Sequence, residues 1–193
     1  GKKVSKPTAA NRRDELLAAA AACFAREGYD AASMRAIADE AGMRAASIYY
    51  HFNSKDDLLV AVHEEALRRI GESTSAALDD VTEPWERLEA ACAAHLTFLL
   101  TQDRFVEAVM RPVPSRVEGR DLIFKLRNDY EIIFANLVTA LDLPQHTDRD
   151  TLRLMLLGAM NWTFTWWNPK EGLSPTVLAS RFVTNLRTAL DVT

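Results

Sequence analysis

The stretch RAASIYYHFNSKDDL, residues 44–58, places an arginine, a serine, two tyrosines, a histidine and a lysine close together in an otherwise acidic chain. All are hydrogen-bond donors, and donors turned to water suit recognition of an anion better than bond-making chemistry. Tyrosine, serine, histidine and lysine donate to phosphate oxygens, and arginine pairs bidentately with guanine, a contact that discriminates by about 1–3 kcal/mol. Ala45 and Ala46 are small enough to let a helix approach base edges, and an alanine methyl can touch thymine. Ile48 and Phe52 stand four apart, so they share the face that anchors such a helix. Arg44, Ala45, Ser47, Tyr50 and His51 are then left outward. Lys55 falls in the first turn of the following helix, where it opposes the helix dipole. A phosphate at that end, held also by backbone N–H groups, removes the objection.

The elements that must hold these residues read as helices throughout. A first helix is expected from about Asn11 to Arg26, with Leu16, Leu17, Ala20, Cys23 and Phe24 on one face and Gly28 capping its end. Ser33 caps a short second helix bearing Met34, Ile37, Ala38 and Ala41, and Gly42 ends it. A third runs from about Arg44 to Tyr50. Ser54 and Asp57 resemble a capping box opening a long helix with Leu58, Leu59, Val62, Leu67 and Ile70. The pattern weakens between Gly71 and Glu83, the expected junction. Pro84 starts a helix to about Gln102. Ser115 with Glu118 reads as a second capping box, Thr147 as the cap of a helix ending near Trp167, and Ser174–Pro175 as the start of the last. The fold class is therefore all-α, with about nine helices. Two short helices about a glycine turn, supported by a third, describe a helix-turn-helix.

Bulk properties exclude several classes. The chain has 193 residues, 48% apolar, with a formal net charge of −4. That charge argues against coating nucleic acid by bulk attraction. Residues 1–60 hold nine basic and eight acidic residues against fourteen and nineteen in the rest. Lys2, Lys3, Lys6, Arg12 and Arg13 precede any acidic residue, a basic tail that reads as a solubilising end; the arm before Asn11 alternatively meets DNA. No apolar run reaches the ~18–20 residues of a membrane span, and the start lacks a signal peptide's apolar stretch. A cytoplasmic setting is expected, with Cys23 and Cys92 as small buried thiols. His51, His63, His95 and His146 form no HExxH pair; no metal or cofactor is expected. No glycine-rich phosphate loop or G-x-S-x-G nucleophile motif occurs. The chain is not read as an enzyme; the competing functions are a helical protein-interaction module and a helical enzyme that binds no DNA.

The segment SMRAIADEAGMRAASIYYHFNSKDDLL (33–59) resembles the DNA-binding segment of TetR-family transcriptional repressors. The resemblance implies a three-helix head, residues 11–53, after an arm over 1–10. A helical body over 54–193, with 54–71 as connecting helix, binds an effector and dimerises through its last two helices. It places Arg44, Ala45, Ser47 and Tyr50 at the groove. Ser33, Tyr49, His51 and Lys55 fall at the phosphates, with Arg35 added. Each has a plainer reading: Tyr49 as a core ring, His51 as a structural partner, Lys55 and Arg35 as solvated charges. The implied partners are a palindromic double-stranded operator, a small-molecule effector and a second copy of the chain, with no membrane.

In the body, GAMNWTFTWWNPKEGLSP (158–175) is the richest segment. Trp162 and Trp166 lie one turn apart, and aromatic anchors favour interfaces, so Trp162, Trp166, Phe182 and Leu186 are expected at the dimer contact. Packing within one subunit is the alternative. An effector pocket is expected to draw on His95, Phe98, Phe105, Met110, Phe124, Tyr130, Asn161 and Thr165, each of which could instead be core. The ending TWWNPKEGLSP is similar to a branch of the family responsive to acyl-CoA in lipid breakdown. It lacks the arginine that branch tends to carry nearby, since none lies between Arg153 and Arg181.

Overall fold

The structure is a computed structural model that describes residues 9–101 and 103–190. Among these residues it is all-helical, with α1 (Ala9–Ala31), α2 (Met34–Glu40), α3 (Ala45–Ile48), α4 (Lys55–Ala76) and α5 (Pro84–Leu99) in the first half. They are followed by α6 (Arg104–Met110), α7 (Arg120–Thr139), α8 (Arg149–Trp166), a 3-10 turn at Pro169–Glu171 and α9 (Pro175–Ala189). Most of the basic arm lies outside the described residues.

The chain forms two compact units. One comprises residues 1–66 and 104–126, the other 67–103 and 127–193. The first therefore contains more than the expected head, because α6 and the start of α7 join it. The reason is apolar: Phe105, Ala108, Val117 and Ile123 are buried in one core with Leu16, Phe24, Ile37, Ile48 and Leu58. Residues 55–66 of α4 belong to this unit and 67–76 to the other.

Local physics sets the helix ends. Ser33 Oγ accepts from Ala36 N at 3.1 Å, the N-cap the sequence predicts. At the other end of α2, Met43 N donates to Ala38 O at 2.8 Å and Gly42 N to Asp39 O at 3.1 Å. Gly42 sits at φ 64°. This is a Schellman motif, which needs the left-handed backbone that glycine adopts at little cost. It delivers the chain directly into α3. Gly28, at φ 78°, interrupts α1, yet one further turn follows to Ala31. Ser174 Oγ caps α9 through Val177 N at 3.2 Å, and Glu83 caps α5 ahead of Pro84.

Other boundaries differ from the sequence reading. α3 is shorter than predicted, and α4 continues through Gly71 to Ala76. Helix α5 stops at Leu99. The Ser115–Glu118 box does not form: α7 starts at Arg120, and Glu118 N instead donates to Asp56 Oδ2 at 2.7 Å. Gly119 intervenes at φ 84°, where an added Cβ would lie 2.9 Å from Val60 Cγ2. The cap of α8 is Asp148 rather than Thr147. Its carboxylate accepts from both N and Oγ1 of Thr151 at 3.0 Å, a double contact no hydroxyl at 147 can match.

Candidate functional site

The outward residues of the helix-turn-helix are built on two anchors. Ile48 is fully buried and Phe52 nearly so, which fixes the rotation of α3. Burying each contributes about 1.5–3 kcal/mol. With that rotation set, Arg44, Ala45, Ala46 and Ser47 are exposed, Tyr49 is 57% exposed and Tyr50 83%. Tyr49 is thus no core ring. Arg44 is the N-cap residue of α3 but makes no side-chain capping bond. His51 is half-buried, its ring meeting that of Tyr50 edge-on with centroids 5.2 Å apart. Arg12, Met43, Ser47, Tyr50 and His51 line one concavity of about 500 Å³. Ser33 is exposed, and its hydroxyl hydrogen remains available after capping α2. Arg35 is exposed, with Asp39 4.0 Å away, an ion pair of little energetic consequence.

Lys55 does not stand free beside these donors. Its Nζ donates to the carbonyl oxygens of Tyr29 at 2.7 Å and Ala32 at 2.8 Å, and lies 4.3 Å from the Tyr29 ring centre. The ammonium caps the carboxyl end of α1, where the helix dipole favours a cation. Two of the three ammonium donors expected at phosphate are thus directed inward, and the sequence carried no signal for it, since the acceptors lie 26 and 23 residues back. Asp56 adds a second tie: its carboxylate accepts from the Tyr29 hydroxyl and from Glu118 N. Burial, helped by Asp56, pushes the Tyr29 hydroxyl up to about 12. Arg111 supplies a third tie, donating through Nε to Ala25 O at 2.8 Å. Every partner in these ties lies within the first unit.

The eight effector candidates divide between the two units. Phe105 is in the core of the first unit, and Met110 and Phe124 also belong to that unit. Phe124 is at the surface, with the Arg120 guanidinium carbon 4.4 Å above its ring. These three were placed by their apolar character, which cannot tell one core from another. In the second unit, His95, Tyr130 and Asn161 do converge. His95 Nδ1 is 2.8 Å from Tyr130 Oη, and Nε2 is 3.1 Å from Asn161 Oδ1. Burial pushes the His95 imidazole down to about 4, the Asn161 bond opposing it. A neutral ring carries one N–H. Its Nε2–H donates to Asn161, so Nδ1 accepts from the Tyr130 hydroxyl. The Tyr130 oxygen in turn accepts from Thr74 Oγ1 at 3.2 Å. Thr74, a buried member of this chain of bonds, was missed by the sequence reading because a threonine late in a helix gives no polar signal. Phe134 closes the group, its ring 5.7 Å from His95. Phe98 is half-buried, and Thr165 is exposed with its hydroxyl spent on Trp162 O.

A third surface lies on α8 and α9. Trp162 is 67% exposed and Trp166 49%, with Leu154 and Met155 also exposed on α8. Phe182 and Leu186 are half-buried on α9. Trp167 is turned elsewhere, its Nε1 donating to Leu173 O at 2.8 Å. Among the described residues no His, Cys, Asp and Glu cluster could hold a metal, and no helix is long and apolar enough to cross a membrane.

Helices and site together define a helix-turn-helix protein with a second helical unit. The model for bacterial regulatory proteins of the tetR family matches residues 16–62, and that for the tetracyclin repressor-like C-terminal domain matches residues 81–190. The chain belongs to the TetR family of bacterial regulatory proteins. It is 42% identical over 79 residues to the HTH-type transcriptional repressor KstR2 of Mycolicibacterium smegmatis, covering 41% of this chain and 38% of that protein. It is 39% identical over 88 residues to the HTH-type transcriptional activator FasR of the same organism, 46% of this chain and 40% of that one. The matched part therefore spans less than half the length of these two relatives. In fold the chain is similar to AibR, solved in complex with isovaleryl coenzyme A and operator DNA. The TM-score is 0.77 at 22% identity, over 90% of this chain and 97% of that one.

Proposed function

We propose that the protein is a transcriptional regulator that binds a palindromic duplex as a homodimer and changes its DNA affinity when the second unit takes up a small, largely apolar effector. The observation that carries this reading is the contrast at the end of α3: Ile48 is fully buried while Tyr50, in the turn just beyond the helix, is 83% exposed. A short helix pinned by one face and presenting arginine, serine and tyrosine on the other is suited to a major groove. Arg44, Ala45, Ser47 and Tyr50 read base edges in this account, and Ser33, Arg35, Tyr49 and His51 meet phosphates. Family membership and the regulator names of the relatives support it, one of them a repressor and one an activator.

The dimer is assigned to α8 and α9, where exposed Trp162 and Trp166 and the half-buried Phe182 and Leu186 supply the apolar anchors that stable interfaces use. The two heads of such a dimer must match successive grooves, about 34–36 Å apart. An effector that binds better to a state with a different head spacing lowers DNA affinity by the same coupling factor. Helix α4 is the natural lever, since it contributes to both units. An acyl-CoA is the effector class favoured by the similarity of the 165–175 segment to the acyl-CoA-responsive branch and by the ligand bound to AibR. A cytoplasmic location follows from action on DNA.

The test is selection from a randomised duplex pool, followed by titration of the selected duplex with acyl-CoAs of increasing chain length. Recovery of a palindrome, released by one chain-length class, supports the reading. A pool that stays random at low salt contradicts it, and leaves a helical interaction module as the reading to pursue.

A further inference from the structure

The concavity beside α3 holds a residue that does not belong to the helix-turn-helix. Arg12 comes from the first turns of α1, yet it lines the same hollow as Met43, Ser47, Tyr50 and His51. Met43 is almost fully buried and forms an apolar floor. The other four carry N–H or O–H groups, and none of the five is acidic. The neighbouring arginine is used differently: the Arg13 guanidinium carbon lies 5.2 Å from the centre of the Phe52 ring, against the anchor of α3. Lys55, which stands at the far side of this segment in sequence, is spent on the carbonyls of Tyr29 and Ala32. The head thus turns Lys55 onto its own carbonyls and sets exposed Arg13 against the Phe52 ring, while Arg12 stands on the recognition side.

The geometry points to a composite phosphate site in which Arg12 and His51 clamp one phosphodiester of the duplex, with Ser47 and Tyr50 bordering it. The site rests on the DNA-binding reading and deepens it. A phosphate is the favoured occupant over a base edge for a positional reason. Base edges are reached by residues on and beside the helix that enters the groove, whereas Arg12 flanks that helix from another element, α1. Residues in such flanking positions meet the backbone that borders the groove. A guanidinium suits the role because its planar fork matches two phosphate oxygens and it stays charged at every working pH.

The inference is tested by the salt dependence of binding to a random-sequence duplex and to the palindrome recovered by selection. For Arg12→Ala the slope of log affinity against log salt is expected to become shallower by about 1.8 on both duplexes, about 0.9 for each of the dimer's two copies of the site. Arg12→Lys restores most of that slope, and Arg13→Ala leaves it as in the parent protein. Thermal melts of all three variants establish that they are folded. An unchanged slope for folded Arg12→Ala overturns the assignment, as does a loss confined to the palindrome, which marks a base contact. If the parent protein binds neither duplex, the DNA-binding reading itself fails and this site falls with it.

Discussion

Lys55 holds its Nζ 2.7 Å from the carbonyl oxygen of Tyr29 and 4.3 Å from the centre of the same residue's ring. A charge that the sequence places at the mouth of α4 is thereby turned back onto the end of α1. With Asp56 on the Tyr29 hydroxyl and Arg111 on Ala25, it ties the start of α4 and the segment after α6 to one helix terminus. The Lys55 bonds are charge-assisted and partly buried, so they contribute to stability. Replacing Lys55 by Met is expected to lower unfolding stability by about 1.5–3 kcal/mol, the range for hydrogen bonds involving a charged group. The salt slope of DNA binding should stay unchanged in the same variant. Urea denaturation and binding isotherms check the two halves.

His95 links stability to pH. Its imidazole titrates near 4 in the folded chain because burial penalises the charged form, against about 6.5 when unfolded. Between those values the unfolded state binds a proton that the folded state refuses. Stability is therefore complete above about pH 6.5 and falls as the pH drops through that window. The loss is on the order of 2 kcal/mol by pH 5. His95→Gln should flatten the dependence in this interval, as measured by urea midpoints at pH 7 and pH 5.

Two glycines separate backbone strain from crowding. Gly42 has φ 64° and nothing within 4 Å of an added Cβ, whereas Gly119 has φ 84° and Val60 Cγ2 at 2.9 Å. Gly42→Ala should cost about 1–2 kcal/mol, the strain of the left-handed region alone. Gly119→Ala should cost more, because the Val60 methyl must also move. Paired denaturation curves give the difference directly.

Trp162 and Trp166 present indole surface on consecutive turns of α8. If α8 and α9 form the dimer contact, truncating Trp162 to alanine removes an anchor whose loss typically costs at least about 2 kcal/mol. That corresponds to a dimer dissociation constant roughly thirty-fold weaker. Sedimentation over a concentration series reads this, and a melting temperature close to that of the parent at high concentration shows that the subunit is intact.

Much of this architecture was legible in the chain because it is local. Ser33, Pro84 and Ser174 announce helix starts within three residues of the N–H groups they cap or admit. Ile48 and Phe52 announce the rotation of α3 by their spacing. What escaped was decided at long range. Ser115 and Glu118 have the spacing of a capping box, but Glu118 N is claimed by Asp56, sixty-two residues earlier. Thr147 and Asp148 are both competent caps, and only the geometry of Thr151 chooses the carboxylate. Phe105 is as apolar as Phe98, and nothing in its immediate neighbours says that it belongs to the core around Leu16 and Phe24. His95, Tyr130 and Asn161 were marked by residue type, while the fourth member of their network, Thr74, was marked by nothing.

The central claim is that the exposed face of α3 reads a duplex. The most direct measurement is the ratio of affinities for the selected palindrome and a scrambled duplex at one fixed salt concentration, in the parent protein and in Arg44→Ala and Tyr50→Ala. A ratio well above one is expected in the parent, reduced roughly thirty-fold or more in Arg44→Ala, since a dimer loses two contacts of about 1–3 kcal/mol each. Tyr50→Ala should lower the ratio as well, with all three proteins equally folded. An equal affinity for both duplexes in the parent, or a ratio indifferent to Arg44 and Tyr50, would contradict the claim.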